Sequence, residues 1–246
     1  MTALHHAAVN GDPLVIQALI KGGCDVNQAD DAGRLPLHWT ATKGHVEGAR
    51  ELIKGGALPA GADKEGFTPL HRCGQDEPEE RKDEEEDEKE RRKKEQERSK
   101  AQIAEQLLQL GAKAGAKELK GEQTPLHLAA MNGMEQVGEV LIQHGADINS
   151  TNKIGQTPLI YACIEQHIGM ARMLLKNGAN PMLANPLHWD WTPLHWAALS
   201  DNPELVKVII EGGGRSVADR TGRTPAGLAD EHGKMKVQEI LEKLVQ

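Results

Sequence analysis

Short apolar stripes at helical spacing recur along this chain in pairs, and the clearest pair lies between Gly121 and Asn149. Apolar residues at 126, 129 and 130 predict one short helix, and those at 137, 140, 141 and 142 predict a second. Thr124 and Pro125 suit the N-cap and the first helical position, and Gly145 suits the left-handed residue that ends a helix. Two helices this short cannot bury their own apolar faces. The pattern therefore predicts further copies packed on either side.

Copies of this unit occur along the whole chain. Aligned on the Thr-Pro-Leu-His start, the histidine column reads His5, His38, His71, His127, Ile160 and His195, with steps of 33, 33, 56, 33 and 35 residues. In five units a glycine follows that column by 18 residues, whereas in the third unit the distance from His71 to Gly111 is 40. A seventh unit begins at Thr224-Pro225 with a more polar first helix. We interpret it as a capping repeat.

A 33-residue period with a Thr-Pro-Leu-His start resembles the ankyrin-repeat family over essentially the whole chain. The resemblance implies an all-α solenoid of helix-turn-helix pairs joined by β-turn loops. We therefore expect a single ankyrin-repeat domain spanning 1–246. Its predicted repeats are 1–29, 30–62, 63–116, 117–151, 152–184, 185–217 and 218–246.

The extra length of the third repeat is a charged insertion, which the alignment places at residues 76–97. It contains 13 acidic and 7 basic residues and no Leu, Ile, Val, Phe or Met, so it has little to bury. Acidic and basic side chains alternate at i, i+4, as in Glu90 and Lys94, and no helix breaker separates them from Ile103. We predict a projecting helix from Pro78 that is continuous with the repeat's second helix. A solvated charged loop is the alternative.

Charge and cysteine content bear on partners and setting. The net charge is −8, and the insertion alone contributes −6, so the solenoid lacks the basic stripe of a nucleic-acid binder. The three cysteines lie in three different repeats without paired spacing, which favours a reducing compartment. No apolar run is long enough for a membrane span. We expect a monomer in the cytoplasm, with a nuclear or cytoskeleton-associated setting as the alternative.

Neither the histidines nor the cysteines form a pattern typical of catalysis or metal binding. The resemblance implies that the five motif histidines are structural and link neighbouring repeats by hydrogen bonds. The chain shows no His-x₃-His or Cys-x₂-Cys spacing, no phosphate-binding glycine loop and no nucleophile elbow. We therefore predict no catalytic residue, no metal site and no cofactor.

The resemblance implies a binding function, because the turn tips and first helices of ankyrin repeats line a concave partner-binding face. Trp189 and Trp191 lie in a turn two residues longer than the standard one, where the repeat assigns them no packing role. Trp39 and Trp196 follow a motif histidine, and half-buried packing is the alternative for both. The predicted partner-binding residues are Trp189, Trp191, Phe67, Trp39, Tyr161, Trp196, Arg34, Lys64, Lys153, Ile154, Arg220 and Arg223. We expect a non-catalytic protein-interaction scaffold or adaptor. The alternative is an architectural subunit of a cytoskeletal or axonemal assembly that uses the charged helix as a docking arm.

Overall fold

The computed structural model describes residues 1–76 and 86–243, and the helices there follow one another in pairs. The first helices of the pairs are α1 (Ala3–Asn10), α3 (Pro36–Lys43), α5 (Pro69–Cys73), α7 (Pro125–Met131), α9 (Pro158–Ile164), α11 (Pro193–Leu199) and α13 (Pro225–Glu231). The second helices are α2 (Pro13–Lys21), α4 (Val46–Lys54), α6 (Glu86–Gln109), α8 (Glu135–Gln143), α10 (Ile168–Lys176), α12 (Pro203–Glu211) and α14 (Met235–Glu242). No strand forms within the described ranges, which contain one isolated antiparallel bridge, between Asn185 and Trp191. The predicted all-α fold is confirmed.

The chain divides into two compact units. The first comprises Met1–Lys120, Thr124–Ala129 and Gln136–Ala146, and the second comprises Gly121–Gln123, Ala130–Glu135 and Asp147–Gln246. In the first unit α1 packs on α3 and α3 on α5, while α2 packs on α4 and α4 on α6. In the second unit α9, α11 and α13 pack in succession, as do α10, α12 and α14. Each unit thus buries its apolar stripes between neighbouring helix pairs, while the single-domain assignment stays a prediction.

The Thr-Pro-Leu-His motif sets the start of the first helices through a threonine–histidine pair. In repeat one the backbone N–H of Thr2 donates to Nδ1 of His5 at 3.1 Å, and the Thr2 hydroxyl lies 2.8 Å from the same nitrogen. Repeat two has Leu35 in place of the threonine, so the hydroxyl contact is absent. The Leu35 amide still donates to Nδ1 of His38 at 2.9 Å. The leucine substitution therefore removes only part of the cap.

The same histidines connect consecutive repeats. Because Nδ1 accepts a backbone N–H, it carries no proton, and Nε2 is the protonated nitrogen that donates. Nε2 of His5 donates to the carbonyl of Arg34 and Nε2 of His38 to that of Phe67, each at 2.9 Å. The structural role implied for the motif histidines is confirmed at these two positions.

Helix α6 is 24 residues long, whereas most second helices have nine. It runs without interruption from the charged insertion into the core residues Ile103 and Leu107. The predicted pair of Glu90 and Lys94 is present at 2.7 Å. The predicted continuous helix is confirmed from Glu86 onwards, and its expected start at Pro78 lies outside the described residues. We call residues 86–99 the arm.

Contacts at its C-terminal end fix the position of the arm. Lys100 is fully buried, and its ammonium group donates to the carbonyl of Gln75, which closes the insertion at its base. Glu97 accepts the backbone N–H of Gln136 at 2.6 Å, in the first turn of α8, where a carboxylate stabilises a helix. Gly44 lies next to the arm, since a Cβ there would be in ordinary van der Waals contact with the backbone of Gln96, at 3.4 Å. The arm therefore lies beside the loop that joins α3 and α4, a contact that the sequence did not predict.

Candidate functional site

The turn between repeats is built on one acidic or amide side chain that accepts two backbone N–H groups from the residues after it. Asp219 shows the pattern, since its Oδ1 accepts the amides of Thr221 at 2.8 Å and Arg223 at 3.0 Å. Asp30, Asp63 and Asn152 make the equivalent pairs of bonds in their own turns. These bonds hold each turn tip in a defined conformation before any partner arrives.

Backbone hydrogen bonds also join successive tips within each unit. The bonds run from Lys64 to Ala32, from Leu119 to Glu65, from Lys153 to Gly121 and from Arg220 to Trp189, at 2.8–3.1 Å. The predicted partner-binding residues at the tips therefore stand on linked, ordered backbone.

In repeats two and three, arginines cover the predicted aromatic contacts. Trp39 is half-buried, with the Arg34 guanidinium 4.2 Å from its ring centre, and Arg34 is also paired with Asp30 at 3.0 Å. Phe67 is half-buried beneath Arg72, at 4.8 Å. The tips themselves are polar, and the ammonium group of the exposed Lys64 donates to the carbonyl of Asp31 at 2.7 Å. Neither ring is a large exposed anchor.

Tyr161 acts within the second unit as a hydrogen-bond acceptor between two turns. Its hydroxyl oxygen accepts from Nε2 of Gln123 at 2.8 Å and from Nδ2 of Asn152 at 3.0 Å. The ring is half-buried. The structure thus gives Tyr161 a structural contact, and its partner-binding role stays a prediction.

The lengthened turn of repeat six carries an aromatic cluster formed by His188, Trp189, Trp191 and Trp196. The His188 ring lies at its centre, 4.4 Å from Trp189, 4.7 Å from Trp191 and 4.6 Å from Trp196 between ring centres. Burial and the nearby Arg223 both lower the pKa of His188, so the neutral imidazole is favoured. The cluster is the largest grouping of aromatic side chains in the described part of the chain.

The two tryptophans of the long turn have different surroundings. Trp191 is only 6% exposed, and its indole N–H donates to Oδ2 of Asp219 at 2.9 Å. The expectation that Trp191 has no packing role is therefore wrong, because an acceptor 28 residues later lies within its reach. Trp189, in contrast, is 48% exposed. Of the two, Trp189 is the one available for contact.

Trp196 is half-buried and resembles Trp39, which also follows a motif histidine. Both indole N–H groups are enclosed and have no acceptor among the described residues. The packing alternative weighed for these two positions matches their burial.

Two arginines of repeat seven complete the cluster. The Arg220 guanidinium donates two hydrogen bonds to the carboxylate of Asp190, at 3.0 and 2.9 Å. Arg223 pairs with Asp219 at 3.1 Å and lies 5.6 Å from the ring centres of both Trp189 and Trp191. Although burial of Asp219 favours a higher pKa, hydrogen bonds from Thr221, Trp191 and two backbone amides outweigh it and lower the pKa. Asp219 is thus held as a carboxylate between two repeats.

Exposed apolar side chains extend from the cluster along the neighbouring tips. Leu187 is 69% exposed and Ile154 is 55% exposed. Their turns touch, because a Cβ on Gly155 would lie 2.6 Å from the side chain of Asn185 and 3.4 Å from Pro186. We call Lys153, Ile154, Leu187 and Trp189 the tip ridge. The sequence analysis did not predict Leu187 as a contact residue, although it lies in the same lengthened turn as the tryptophans.

A second histidine column was also missed. Nε2 of His45 lies 3.0 Å from the carbonyl of Val9, and Nε2 of His167 lies 3.0 Å from that of Met131. Each histidine precedes a second helix and contacts the first helix of the preceding repeat. Both lie seven residues after the motif column, which is the signal that reveals them.

The thiols, histidines and carboxylates within residues 1–76 and 86–243 bear on catalysis and metal binding. No group of three His, Cys, Asp or Glu side chains there is arranged to hold a metal ion. Burial raises the pKa of the Cys73 thiol to about 12 and also raises that of Cys163, which leaves both thiols protonated. None of the helices in these ranges combines the length and apolar character needed to cross a membrane.

Comparison with known proteins places these observations in a family. Residues 4–80 and 96–185 match a family model for ankyrin repeats in three copies, and residues 189–218 match a model for the ankyrin repeat. The unmatched stretch 81–95 falls within the charged insertion.

Curated relatives are longer proteins of varied kinds. The chain is 29% identical over 229 residues to ankyrin repeat protein nuc-2 of Neurospora crassa, a match that covers 84% of this chain and 20% of that protein. It is 34% identical over 119 residues to mouse ankyrin repeat and SOCS box protein 16, which covers 45% and 26%. It is 30% identical over 121 residues to the tyrosine-protein kinase HTK16 of Hydra vulgaris, which covers 48% and 16%. The chain thus spans about a quarter or less of each of these relatives.

Solved structures show the same fold. The ankyrin repeat domain of human ASB11 aligns with a TM-score of 0.78 and 27% identity, over 99% of this chain and 97% of that one. The ankyrin repeat domain of Bcl-3 aligns with a TM-score of 0.74 and 24% identity, over 98% of each chain. Since the family models match well over half of the residues, the chain belongs to the ankyrin-repeat family.

Proposed function

We propose that this chain is a non-catalytic protein-interaction scaffold that binds a protein partner through the tip ridge, with Trp189 as the anchor. The observation that carries the proposal is the exposure of Trp189 on a turn that is closed by the bridge between Asn185 and Trp191. Ankyrin repeats generally mediate protein–protein interaction, which supports this class of function.

The energetics of interfaces favour Trp189 over the other predicted contacts. Tryptophan is enriched among the few residues that dominate binding free energy. A side chain held on a hydrogen-bonded turn loses less entropy on binding than one on a mobile loop. Trp39 and Phe67 are already covered by arginines, and Trp191 is already buried, so each has less surface to offer.

The chemistry of the tip ridge indicates the kind of surface that it would accept. Ile154, Leu187 and Trp189 offer apolar contacts, and the exposed Lys153 lies at their edge. The arginines beside the ridge are neutralised by Asp190 and Asp219. We propose a partner that presents an apolar patch with an acidic residue near Lys153. Tyr161 and Trp196 of the same unit would flank this contact, while Arg34 and Lys64 of the first unit stay predicted partner-binding residues.

The arm supports a second candidate function, as the docking arm of an architectural subunit. Its described part is helical, and Arg91, Lys93 and Lys94 are exposed along it. Lys100 and Glu97 hold its base in place. Exposed charges alone are weak determinants of binding, so the tip ridge is the better-supported surface.

One affinity experiment separates the two surfaces. Proteins captured from cell extract by the wild-type chain would be identified, and each would then be purified and titrated by calorimetry. Trp189→Ala should weaken the affinity for a partner that binds the tip ridge by about thirtyfold, which is the effect of losing a strong interface residue. The control is Met235→Ala, which removes another large, exposed apolar side chain, from α14. A double variant, Arg91→Glu with Lys94→Glu, should leave the ridge partner unaffected.

The outcomes distinguish the two surfaces. Equal affinity of wild type and Trp189→Ala for every purified partner would remove the tip-ridge proposal. A partner lost only from the arm double variant would establish the docking-arm function instead. We expect a cytoplasmic setting, which fractionation of cells expressing the tagged chain would check.

A further inference from the structure

The tip of the lengthened turn has a backbone conformation that its residues do not favour. Trp189 and Asp190 have φ values of 49° and 59°, in the left-handed region where non-glycine residues are uncommon. Both residues lie in the loop closed by the bridge between Asn185 and Trp191. Two consecutive residues of this kind persist only where surrounding contacts determine them.

Arg220 of repeat seven adds contacts to those within the loop, where the backbone N–H of Asp190 donates to the carbonyl of Asn185 at 3.0 Å. The backbone N–H of Arg220 donates to the carbonyl of Trp189 at 2.9 Å. Its guanidinium donates two hydrogen bonds to Asp190, a planar, two-point geometry that lysine cannot reproduce. One of its terminal nitrogens also lies 3.4 Å from the carbonyl of Pro186. Arg220 thus contacts the strained pair and the residue that precedes Leu187.

The neighbouring residue, Asp219, fixes the buried indole of Trp191, which packs against Trp189. Its Oδ1 accepts the amides that shape its own turn, and its Oδ2 accepts the indole N–H of Trp191. Trp191 in turn packs 5.7 Å from Trp189 between ring centres. Adjacent residues of repeat seven therefore hold the buried indole and the exposed indole.

We infer that Arg220 is a positioning residue that holds Trp189 in its displayed conformation, so that repeat seven is more than a polar cap. The inference rests on the proposed function and extends it, because it identifies the turn of repeat seven as the element that holds the anchor Trp189 in place. In a repeat array each repeat contacts only its neighbours, so one repeat can open locally. Opening of repeat seven would therefore remove the displayed anchor while the earlier repeats stay folded.

The role of Arg220 is separable from the stability of the repeat. Arg220 is exposed, whereas the core of repeat seven consists of Leu228, Val237 and Leu241, all fully buried. Removing the guanidinium leaves this core and the Trp191–Asp219 bond in place. The backbone bond from the Arg220 amide is also retained, so a substitution tests the side chain alone.

Fluorine NMR of the full chain labelled with 5-fluorotryptophan tests the inference without a partner. The chain has four tryptophans, and the resonance that disappears in Trp189→Phe identifies Trp189. Arg220→Ala should shift and sharpen that resonance, as the indole gains motion, and leave the Trp39 resonance unchanged. Asp190→Asn removes the same ion pair while keeping a residue that tolerates positive φ. It should reproduce the shift, and the double variant should add nothing further.

The matched control is Arg215→Ala, an exposed arginine of repeat six whose side chain forms no ion pair in the described ranges. It should leave all four resonances in place. An unmoved Trp189 resonance in Arg220→Ala, or equal shifts in Arg220→Ala and Arg215→Ala, would overturn the inference. The proposed function fails by a different result, namely unchanged partner affinity in Trp189→Ala, so the two failures are distinguishable.

Discussion

Repeat two of the first unit and repeats six and seven of the second use the same device, an aspartate four residues before an arginine that lies over an aromatic ring. In the first unit Asp30 pairs with Arg34, which covers Trp39 of its own repeat. In the second unit Asp219 pairs with Arg223, which lies over tryptophans of the preceding repeat.

The exposure of the aromatic rings differs between the two units. The turn of repeat six is two residues longer, and it carries more rings than one guanidinium can cover. In repeats two and three of the first unit the tips are polar, as at Asp31 and Lys64, and the rings of Trp39 and Phe67 lie beneath arginines. In the second unit one indole is buried by Asp219 and the other remains exposed. A small change in turn length thus converts a packing device into a candidate contact surface.

The largest effect on stability is expected when the two indoles of the long turn are removed one at a time. Trp191→Ala removes a buried ring and leaves Asp219 without its donor, so it should lower the free energy of unfolding by about 3–5 kcal/mol. Trp189→Ala removes an exposed ring and should change it by less than about 1 kcal/mol. Urea denaturation followed by circular dichroism measures both.

Trp191→Phe sharpens this prediction, because it keeps a ring and removes only the N–H donor to Asp219. Its stability should fall between the other two variants. Equal losses for Trp189→Ala and Trp191→Ala would contradict the assignment of one indole to packing and the other to contact.

The sequence predicts the fold well because the repeat is a local pattern. The Thr-Pro start, the apolar stripe and the end glycine lie within a single repeat, and their recurrence sets the register, even through the charged insertion to Leu107. The motif histidine is predictable for the same reason, since its acceptor lies at a constant distance along the chain, as for His5 and Arg34.

The site is less predictable because its contacts are not periodic. Whether Trp191 is buried depends on Asp219, in a turn 28 residues away, and one repeat's sequence does not encode that distance. The exposure of Leu187 depends on how the longer turn folds, and the position of the arm depends on Lys100 and Glu97. Such contacts follow from the assembled structure.

A smaller effect, common to both regions, is expected from acidification. Burial lowers the pKa of His38 in the first unit and of His195 in the second, so the folded state binds these protons less readily than the unfolded chain. Stability from these histidines is complete above the unfolded pKa of about 6.5 and is lost as pH falls below it.

Unfolding free energies at pH 7.5 and 5.5 measure this loss. His38→Gln and His195→Gln should each be less stable than wild type at pH 7.5 and show a weaker dependence on pH over this range. A wild-type stability that rises from pH 7.5 to 5.5 would contradict the role of these neutral, buried histidines. The aspartates Asp30 and Asp219 act at lower pH, because their pKa values are lowered and their contribution is lost only below about pH 4.

The smallest effect is expected from uncovering the indole of the first unit. Arg34→Ala removes a cation–π contact and a partly exposed ion pair, which together contribute about 1 kcal/mol or less. Trp39 should become more accessible to acrylamide, measured by fluorescence in a chain whose other three tryptophans are phenylalanine. The matched variant is Lys64→Ala, which removes a side chain at the neighbouring tip and should leave the quenching of Trp39 unchanged.

The Arg34→Ala variant also tests whether an exposed indole is enough for binding. If Ile154 and Leu187 contribute to binding at the tip ridge as well as the indole of Trp189, then Arg34→Ala should not create affinity for the same partner at Trp39, since the tips beside Trp39 are polar. Binding at Trp39 in the Arg34→Ala variant would instead show that one exposed indole is sufficient, and the distinction between the two regions would then rest on the arginine alone.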